Sequence, residues 1–229
     1  MRRNDLGQYD SLSGEWWRPG GALTVLHGIA AARARLVPPA TRPGAVLVDL
    51  GCGAGLLAPH VRTKGYAHLG VDLVGSALGL AREHGVSVLR ADVTRLPLAD
   101  RCADVVSAGE LLEHVPDRSA AVAEACRILR PGGLLVLDTL NATAVSRLLA
   151  VTVAERLVPA VAGIHDPNLF VDPCELTDEC ARHGVRLSVR GLRPALPAMA
   201  RWLATGRGAV PMVPTRSTAV LYQGRGVKT

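Results

Sequence analysis

The chain has 229 residues, of which 48% are hydrophobic, and its formal net charge is +6 at pH 7. This length allows one domain with a sizeable core, and the hydrophobic fraction excludes a disordered or collagen-like chain. Arginines are distributed along the sequence and aromatic residues make up only 3% of it, so we expect no nucleic-acid partner.

Residues 1–40 are predicted to form an N-terminal helical cap. The first part is mostly polar, but it contains Tyr9 and two adjacent tryptophans, Trp16 and Trp17. The indoles either cover the edge of the core or close over an apolar substrate, and both interpretations stay open. A helix is predicted from residue 23 to residue 36. It carries two polar side chains of interest, His27 and Arg33.

The next stretch, Ala45 to Gly55, reads Ala-Val-Leu-Val-Asp-Leu-Gly-Cys-Gly-Ala-Gly. Its apolar start predicts a buried strand, and the alternate glycines leave no Cβ to keep a ligand away from the backbone. The helix expected next points its first free N–H groups into the same turn. The third glycine of the dinucleotide fingerprint and the Gly-Lys-Ser/Thr of the phosphate loop are both missing. The turn therefore indicates another nucleotide-type ligand, with a purely structural turn as the alternative.

Strands and helices alternate as far as residue 137. The predicted strands are Ala67–Val71, Val86–Leu89, Ala103–Ser107 and Leu134–Leu137, and the predicted helices are Gly75–His84 and Asp117–Leu129. This alternation predicts a doubly wound, Rossmann-like parallel α/β sheet, in which ligands bind at the carboxyl ends of the strands. We assign residues 41–140 to this cofactor-binding core.

Four acidic residues stand at those carboxyl ends: Asp49, Asp72, Asp92 and Glu110. Asp72 suits the ribose hydroxyls of a nucleotide-type cofactor, because a carboxylate accepts hydrogen bonds from both. Asp92 suits an adenine amino group. The alternatives are a capping acid at Asp72 and an ordinary turn residue at Asp92.

Residues 141–172 interrupt the alternation of strands and helices with an apolar helical stretch, which we interpret as a lid. The lid contains His165 and the only phenylalanine, Phe170. Residues 173–229 are predicted to complete the sheet, and the whole chain is treated as a single domain. The last clear helix is expected over 173–183 and late strands over 185–189 and 219–222, while residues 193–214 contain four prolines and are predicted to be loop-rich.

The five cysteines are odd in number and include no Cys-x-x-Cys pair. This predicts reduced thiols and a cytoplasmic protein. No run approaches the ~18 apolar residues of a membrane span.

Residues 110–114 read Glu-Leu-Leu-Glu-His and place Glu110, Glu113 and His114 at positions i, i+3 and i+4. One helical turn there would put all three side chains on one face. Two carboxylates and an imidazole are a plausible set for a divalent metal, with His165 in the lid as a fourth ligand. The alternatives are His114 as a general base without metal, and a solvated acidic turn without a catalytic role.

The pattern Asp49-x-Gly51-x-Gly53-x-Gly55 resembles the first motif of class I S-adenosylmethionine-dependent methyltransferases. Further motifs follow in one order over residues 9–192, and they are similar to those of the ubiquinone-pathway O-methyltransferases, which act on polyprenyl catechols and 3-demethylubiquinol. They are Tyr9…Trp16-Trp17, His27 with Arg33, Glu110-x-x-Glu113-His114-Val115-Pro116-Asp117, Leu129-Arg130-Pro131-Gly132-Gly133, Thr139-Leu140-Asn141, and Gly163-x-His165-x-x-x-x-Phe170-Val171-x-Pro173-x-Glu175-Leu176.

The resemblance implies S-adenosylmethionine as the cofactor, with Arg33 on its carboxylate and Gly109 near its adenosine. The expected cofactor-binding residues are Arg33, Asp49, Gly51, Cys52, Gly53, Asp72, Leu73, Asp92, Val93 and Gly109. It also implies a divalent metal such as Mg²⁺ at Glu110, Glu113 and His114, which we take as the catalytic residues. The expected substrate-binding residues are Trp16, Trp17, His27, His165 and Phe170.

The implied substrate is a small hydroxylated aromatic molecule, and residues 145–162 of the apolar lid are expected to make peripheral contact with the inner face of the membrane. The related enzymes carry Tyr-Asn-Pro after the glycine of their sixth strand, whereas this chain has Gly191-Leu192-Arg193-Pro194. A catechol or hydroquinone other than the ubiquinone precursor is therefore also considered. The remaining alternatives are a metal-independent C- or N-methyltransferase and a non-catalytic, cofactor-binding subunit of a biosynthetic complex.

Overall fold

The structure is a computed structural model that describes residues 3–229, so the first two residues of the predicted cap lie outside it. The strands are β1 Val46–Leu50, β2 Ala67–Asp72, β3 Ser87–Arg90, β4 Ala103–Gly109, β5 Leu129–Leu140, β6 Val185–Pro194, β7 Met212–Thr215 and β8 Leu221–Lys228. The α-helices are α1 Leu6–Ser11, α2 Thr24–Ala34, α3 Ala58–Val61, α4 Gly75–Glu83, α5 Arg118–Ile128, α6 Ala144–Arg147, α7 Glu155–Leu157, α8 Pro173–Arg182 and α9 Leu196–Thr205.

The strands form one sheet in the order β3-β2-β1-β4-β5-β8-β6-β7. Strands β1 to β5 pair in parallel, which confirms the predicted α/β class. Strand β8 runs antiparallel between β5 and β6, and β7 pairs antiparallel with the outer side of β6. Because β1 lies between β2 and β4, the turns that follow these three strands meet at one edge of the sheet.

Apolar side chains cover both faces of the central strands. On one face Val48, Val106 and Leu135 pack with residues of α5 and α8, including Ala125 and Leu176. On the other face the alternate residues of the same strands pack against α2 and α3. Burial on both faces explains why these strands read as continuous apolar runs, from which their positions could be predicted.

The helix expected after the glycine turn is short, since α3 has four residues and continues only as a 3₁₀ turn over Arg62–Lys64. The predicted lid helix is also divided. It consists of α6, a π-helical stretch over Leu148–Ala154, α7, and a 3₁₀ turn over Pro159–Val161. Proline at residue 159 lacks the N–H that a continuing helix needs.

The prediction of a loop over residues 193–214 was wrong, because this region contains α9 and β7. Pro197 falls in the first turn of α9, where a missing N–H costs nothing. The last strand, β8, also continues to Lys228, beyond the predicted residues 219–222. The prediction stopped too early because glycines in this strand do not favour a strand in sequence-based reasoning. A Cβ on Gly224 would lie 2.9 Å from Leu137 Cδ1, so glycine lets β8 pack there. Within residues 3–229 no helix is both long and apolar enough to cross a bilayer.

Candidate active site

The glycine turn after β1 has the backbone conformation that its sequence predicts. Gly51 and Gly53 have φ angles of 62° and 51°, in the left-handed region that favours glycine. A Cβ on Gly51 would lie 2.7 Å from Leu111 Cδ1, and a Cβ on Gly53 would lie 2.8 Å from Trp16 Cη2. The turn is therefore a narrow cradle that any larger residue would obstruct, with Trp16 from the cap forming one of its walls.

Asp49 and Cys52 support this turn from inside the protein. Asp49 is buried, and its Oδ2 lies 3.7 Å from His68 Nε2 on the neighbouring strand. The backbone N–H of Cys52 donates to the carbonyl of Val71, and its buried thiol lies so close to Gly70 that a Cβ there would be 2.7 Å from Sγ. Both residues fix the position of the turn relative to β2.

Asp72, at the end of β2, is linked directly to the glycine turn. Its Oδ2 accepts a hydrogen bond from the N–H of Gly53 at 2.8 Å, and its Oδ1 accepts one from Val74 at 2.9 Å. Burial raises the pKa of Asp72, and these two N–H groups oppose that rise. Asp72 thus holds the cradle in shape, while the neighbouring Leu73 is 38% exposed.

Asp92 and Val93 follow β3. Asp92 is exposed, and its Oδ1 accepts hydrogen bonds from the backbone N–H and the hydroxyl of Thr94, both at 2.8 Å. This is the turn geometry that the alternative interpretation expects. Val93 is buried in the core with Val71. A contact of Asp92 with an adenine remains a prediction.

A buried ion pair lies beside the end of β4. Arg33 on α2 donates from Nη1 to Asp138 Oδ1 on β5 at 2.6 Å, and both side chains are almost inaccessible. The Arg33 guanidinium lies directly against Gly109, where a Cβ would collide with it. Burial opposes the charge of Arg33, but Asp138 and Asp49 outweigh it and raise its pKa.

The partly buried Glu110 and the fully buried Glu113 add two carboxylates to this pair. The N–H of Glu110 donates to the carbonyl of Asp138 at 3.0 Å, and Glu113 Oε2 accepts from the Thr139 hydroxyl at 2.7 Å. The Oε1 atoms of both glutamates are buried and have no hydrogen-bond partner in the described part of the chain. Burial raises the pKa of Glu113 to about 7, and burial with the charge of Glu113 raises that of Glu110.

His114 is held by the N-terminal segment. Its Nδ1 lies 2.9 Å from Asn4 Oδ1 and 3.3 Å from the Tyr9 hydroxyl, and its carbonyl accepts from Asn4 Nδ2 at 2.8 Å. Its ring stacks on that of His165 with the ring centres 5.5 Å apart. Burial, together with His165, lowers the pKa of His114 to about 3. At that pKa the imidazole is neutral at neutral pH, and the role of His114 as a general base stays a prediction.

The other predicted substrate-binding residues lie in the lid, near His114, and in the cap, near the glycine turn. His165 packs edge-to-face on the buried Phe170, with ring centres 6.2 Å apart, and burial lowers its pKa to about 4. Trp17 donates from Nε1 to the carbonyl of Ala54 in the glycine turn at 3.1 Å, and His27 Nε2 lies 2.7 Å from the carbonyl of Trp16. The tryptophan pair therefore joins the cap to the turn, as its core-covering interpretation expects.

Comparison with known proteins places this arrangement in a family. Residues 48–137 match the family model described as a methyltransferase domain. The ubiquinone biosynthesis O-methyltransferase of Methylococcus capsulatus is 36% identical over 182 residues, which cover 76% of this chain and 77% of that protein. The enzyme of the same description from Alkalilimnicola ehrlichii is 36% identical over 207 residues, 83% of each chain.

This chain belongs to the ubiquinone biosynthesis O-methyltransferase family. It is a methyltransferase that uses S-adenosylmethionine. A solved structure from Thermotoga maritima, described as an S-adenosylmethionine-dependent methyltransferase and possible histamine N-methyltransferase, superposes with a TM-score of 0.68 at 20% identity and covers 97% of this chain and 99% of its own. At that identity the likeness concerns the fold.

The predicted metal ligands of the methyltransferase are not brought together. Among residues 3–229, no three or more His, Cys, Asp or Glu side chains are arranged so that they could hold a metal ion. The helical turn that was expected to align them covers only Leu112–His114, and Glu110 lies before it with a φ of 48°. Thr139 binds one oxygen of Glu113, and Asn4 and Tyr9 approach His114 Nδ1. The donors as placed do not fit a divalent ion.

Sequence reasoning missed two residues of the methyltransferase site. Asp138 lies within a strand that was predicted only as far as residue 137, and Asn4 lies in a segment that reads as polar and featureless. A signal existed for Asp138, because a lone acid after four apolar residues of a buried strand needs a charged partner. Arg33, the buried arginine on the facing helix, is that partner.

Proposed function

We propose that this methyltransferase transfers a methyl group from S-adenosylmethionine to a hydroxyl of a catechol- or hydroquinone-type aromatic small molecule. The observation that carries the proposal is the pair of buried, unpartnered carboxylate oxygens, Glu110 Oε1 and Glu113 Oε1, on the connection that directly follows Gly109. The names of the relatives support an oxygen acceptor and a quinone-type substrate.

The residues of the cradle fit the cofactor. Gly51 and Gly53 hold the turn at positive φ with Leu111 and Trp16 packed closely over it, and Arg33 has a buried Nε without a partner among the described residues, next to Gly109. We assign the amino-acid end of the cofactor to Arg33 and its ribose to Asp72. The bound cofactor supplies an electrophilic methyl group on its sulfonium. The protein therefore has to align the acceptor oxygen and exclude water.

The carboxylates act on the acceptor. A phenol with a pKa near 10 is mostly protonated at neutral pH, so an acceptor for its hydrogen bond or proton favours attack. Glu113, whose pKa of about 7 is suited to proton exchange at neutral pH, takes this role. Burial and the nearby charge of Glu113 raise the pKa of Glu110. We assign the Glu110 carboxyl group to a hydrogen bond with the second hydroxyl of a catechol. Phe170 and Trp16 provide apolar walls.

The divalent metal stays a prediction, and no step above depends on it. The test is to chelate the enzyme with EDTA, measure methyl transfer, and then add Mg²⁺. Full activity after chelation removes the metal from the proposal and leaves the carboxylates. A loss that Mg²⁺ restores requires a rearrangement of the turn from the conformation described above.

The lid is assigned to an apolar part of the substrate or to a membrane that supplies it. Five of its apolar side chains are exposed by more than a third, namely Val145, Leu148, Leu149, Val153 and Leu157. Exposed apolar surface of this kind is costly in water unless another apolar surface covers it. A substrate with a long hydrocarbon tail should therefore have a lower KM than its short analogue, and Leu148→Gln should reduce that difference.

The central experiment incubates the protein with methyl-labelled S-adenosylmethionine and a panel of catechols, hydroquinones, amines and carbon acids. Glu113→Gln should reduce transfer to a catechol by about 10²- to 10⁴-fold, the usual contribution of a general base. Glu83→Gln is the matched control, because Glu83 is exposed on α4 and should leave the rate unchanged. Transfer only to amines or carbon acids would overturn the proposal. Cofactor binding without any transfer would instead favour a non-catalytic subunit.

A further inference from the structure

Asn4, just before α1, joins two distant parts of the chain. Its φ angle is 56°, in the left-handed region that asparagine tolerates better than most residues. Its backbone N–H donates to the carbonyl of Gly163 in the lid at 3.0 Å. Its side chain contacts His114 at two points. Asn4 therefore connects the lid with the turn that carries the histidine of the candidate site.

The two contacts with His114 fix the orientation of the Asn4 amide. Nδ2 donates to the carbonyl of His114 at 2.8 Å, and Oδ1 lies 2.9 Å from the ring nitrogen Nδ1. Turning the amide over would place Oδ1 against that carbonyl, where two acceptors would face each other and the hydrogen bond would be lost. The backbone carbonyl of His114 thus decides that the oxygen of Asn4 faces Nδ1.

The Asn4 oxygen in turn decides the tautomer of His114. A neutral imidazole carries its proton on one ring nitrogen and accepts at the other. Because an amide oxygen can only accept, the hydrogen bond at 2.9 Å requires the proton on Nδ1. Nε2 is then the unprotonated nitrogen, and within residues 3–229 the ring makes its hydrogen bonds through Nδ1 only. This tautomer leaves Nε2 as an acceptor for a ligand.

Tyr9 is the second group beside Nδ1, and it could favour the opposite tautomer. Its hydroxyl lies 3.3 Å from Nδ1 and could donate to an unprotonated nitrogen. This distance is longer than the 2.9 Å of the Asn4 contact. A hydroxyl oxygen can also accept, so Tyr9 is compatible with both tautomers, whereas Asn4 is compatible with only one. The tautomer that Asn4 requires is therefore the one that satisfies both neighbours.

The lid holds the N-terminal segment in place, which keeps the Asn4 amide at His114. Arg3 donates from Nη1 to Glu155 Oε1 at 2.9 Å and to the carbonyl of His165 at 2.8 Å. The ring of His165 stacks on that of His114. Two consecutive residues, Arg3 and Asn4, therefore contact the two stacked histidines of the candidate site.

We propose that Asn4 is a positioning residue, which keeps the proton of the neutral His114 ring on Nδ1 and so presents Nε2 as a hydrogen-bond acceptor. Resting on the proposed function, the group from which Nε2 accepts is the second hydroxyl of the catechol. The oxygen of that hydroxyl still has lone pairs for the Glu110 carboxyl group, and the reacting hydroxyl is left to Glu113. Asn4 does not touch the reacting atoms and acts only through His114.

The tautomer can be measured without methyl transfer, by nuclear magnetic resonance on the full chain with isotope-labelled histidine. Nitrogen chemical shifts separate a protonated from an unprotonated ring nitrogen, and His114→Gln identifies the signals of His114 among the seven histidines. The spectrum is recorded at pH 8, where an ordinary histidine with a pKa of about 6.5 is neutral. EDTA is added so that no bound ion sets the tautomer. We expect the proton of His114 on Nδ1.

Variants of Asn4 test whether this residue sets the tautomer. Asn4→Gly removes the amide, and glycine can keep the φ of 56°. It should move the proton to Nε2, because the Tyr9 hydroxyl that remains beside Nδ1 can donate to it. The ratio of the two tautomers should change by at least about five-fold, the equivalent of one net hydrogen bond. Asn4→Asp keeps an acceptor at Nδ1 and should keep the tautomer.

Two controls accompany these variants. Tyr9→Phe removes the competing hydroxyl and should leave the proton on Nδ1. Asn168→Gly is the matched control for Asn4→Gly, because Asn168 is an exposed asparagine of the lid, and it should leave the spectrum of His114 unchanged. Circular dichroism checks that each variant is folded, and the wild-type spectrum needs no variant.

A binding experiment tests the consequence for the acceptor. Calorimetric titration of the protein saturated with S-adenosylhomocysteine compares a catechol with the phenol that lacks its second hydroxyl. In Asn4→Gly the protonated Nε2 can no longer accept from that hydroxyl, so the catechol should bind about ten-fold more weakly. The phenol should bind within about two-fold of its wild-type affinity, and Asn4→Asp should restore most of the affinity for the catechol.

Four outcomes would overturn the proposal. They are a wild-type spectrum with the proton on Nε2, an Asn4→Gly spectrum that keeps it on Nδ1, loss of the Nδ1 proton in Tyr9→Phe, and equal weakening of catechol and phenol in Asn4→Gly. The last result would indicate a structural role alone. The spectra need neither a catechol nor methyl transfer. A protein that methylates no catechol therefore refutes the proposed function, while the tautomer still decides the role of Asn4.

Discussion

Replacing Asp138 with asparagine tests the buried charge cluster most directly. The change keeps the shape of the side chain but removes the negative charge 2.6 Å from Arg33 Nη1. Removing one member of a buried ion pair usually costs about 3–5 kcal/mol of unfolding free energy, because the other charge is left without compensation. Arg33 also loses the contact that holds its guanidinium against Gly109.

Glu110 should limit this loss. Burial and the charges of Glu113 and Asp138 raise its pKa, so removing the charge of Asp138 makes Glu110 easier to ionise. The ionised Glu110 can then partly compensate Arg33, so we expect Asp138→Asn to cost about 3 kcal/mol, near the lower limit for such pairs. In the double variant with Glu110→Gln this compensation is absent, and the loss should approach about 5 kcal/mol. Glu110→Gln alone should have a much smaller effect.

Urea denaturation followed by circular dichroism gives the four unfolding free energies of this cycle, and calorimetric titration with S-adenosylhomocysteine gives the affinity. A hydrogen bond to a charged group contributes about 1.5–3 kcal/mol, so misplacing Arg33 should weaken binding by at least about ten-fold. Asp178→Asn is the control, because Asp178 is exposed on α8. Additive effects in the cycle, or an Asp138→Asn variant as stable as this control, would refute the reasoning.

Three further changes have expected outcomes. Gly53→Ala should abolish measurable S-adenosylhomocysteine binding in the same titration, because the new Cβ would lie 2.8 Å from Trp16 Cη2 and the backbone φ is 51°. Unchanged affinity would show that the cradle is wider than described. Burial raises the pKa of Asp104, but hydrogen bonds from the Val46 N–H, Arg42 and Arg130 outweigh it and lower the pKa. The ionised Asp104 therefore stabilises the fold above pH 3.8, its ordinary pKa, and this stabilisation is lost as the pH falls through its lower pKa in the folded protein. Asp104→Asn should thus differ from the wild type more at pH 6 than at pH 3 in denaturant titrations, and an equal difference would contradict this. Asp117→Ala should cost about 1 kcal/mol of unfolding free energy, since Asp117 Oδ1 caps α5 by accepting from Ala120 N at 3.0 Å. Asp178→Ala, at an exposed position of α8, serves as the control.

The sequence was most informative where one physical requirement decides a position. Strands buried on both faces need continuous apolar runs, which allowed β1, β4 and β5 to be predicted, and a backbone at positive φ needs glycine, which allowed the turn at Gly51 and Gly53 to be predicted. Asp72, placed at a strand end by the same logic, does lie at the turn, where its carboxylate accepts hydrogen bonds from the N–H groups of Gly53 and Val74.

Contacts between distant segments could not be predicted in this way. The helical spacing of Glu110, Glu113 and His114 suggested a shared face, but Asn4 and Tyr9, more than a hundred positions earlier, decide where His114 Nδ1 points. Helix α9 was missed because a local signal, rather than a distant contact, was misinterpreted. Its proline was read as a break, although a proline in the first turn is compatible with a helix.

The position of β8 has a consequence for how the protein is made. The last strand lies inside the sheet, between β5 and β6, and Lys228 within it donates to the carbonyls of Cys126 and Leu129. During synthesis β6 and β7 leave the ribosome before the strand that joins them to β5, so the sheet stays in two parts until residues 221–228 emerge. The edges of β5 and β6 are unpaired during that interval, and this is the stage at which the growing chain most needs protection from aggregation.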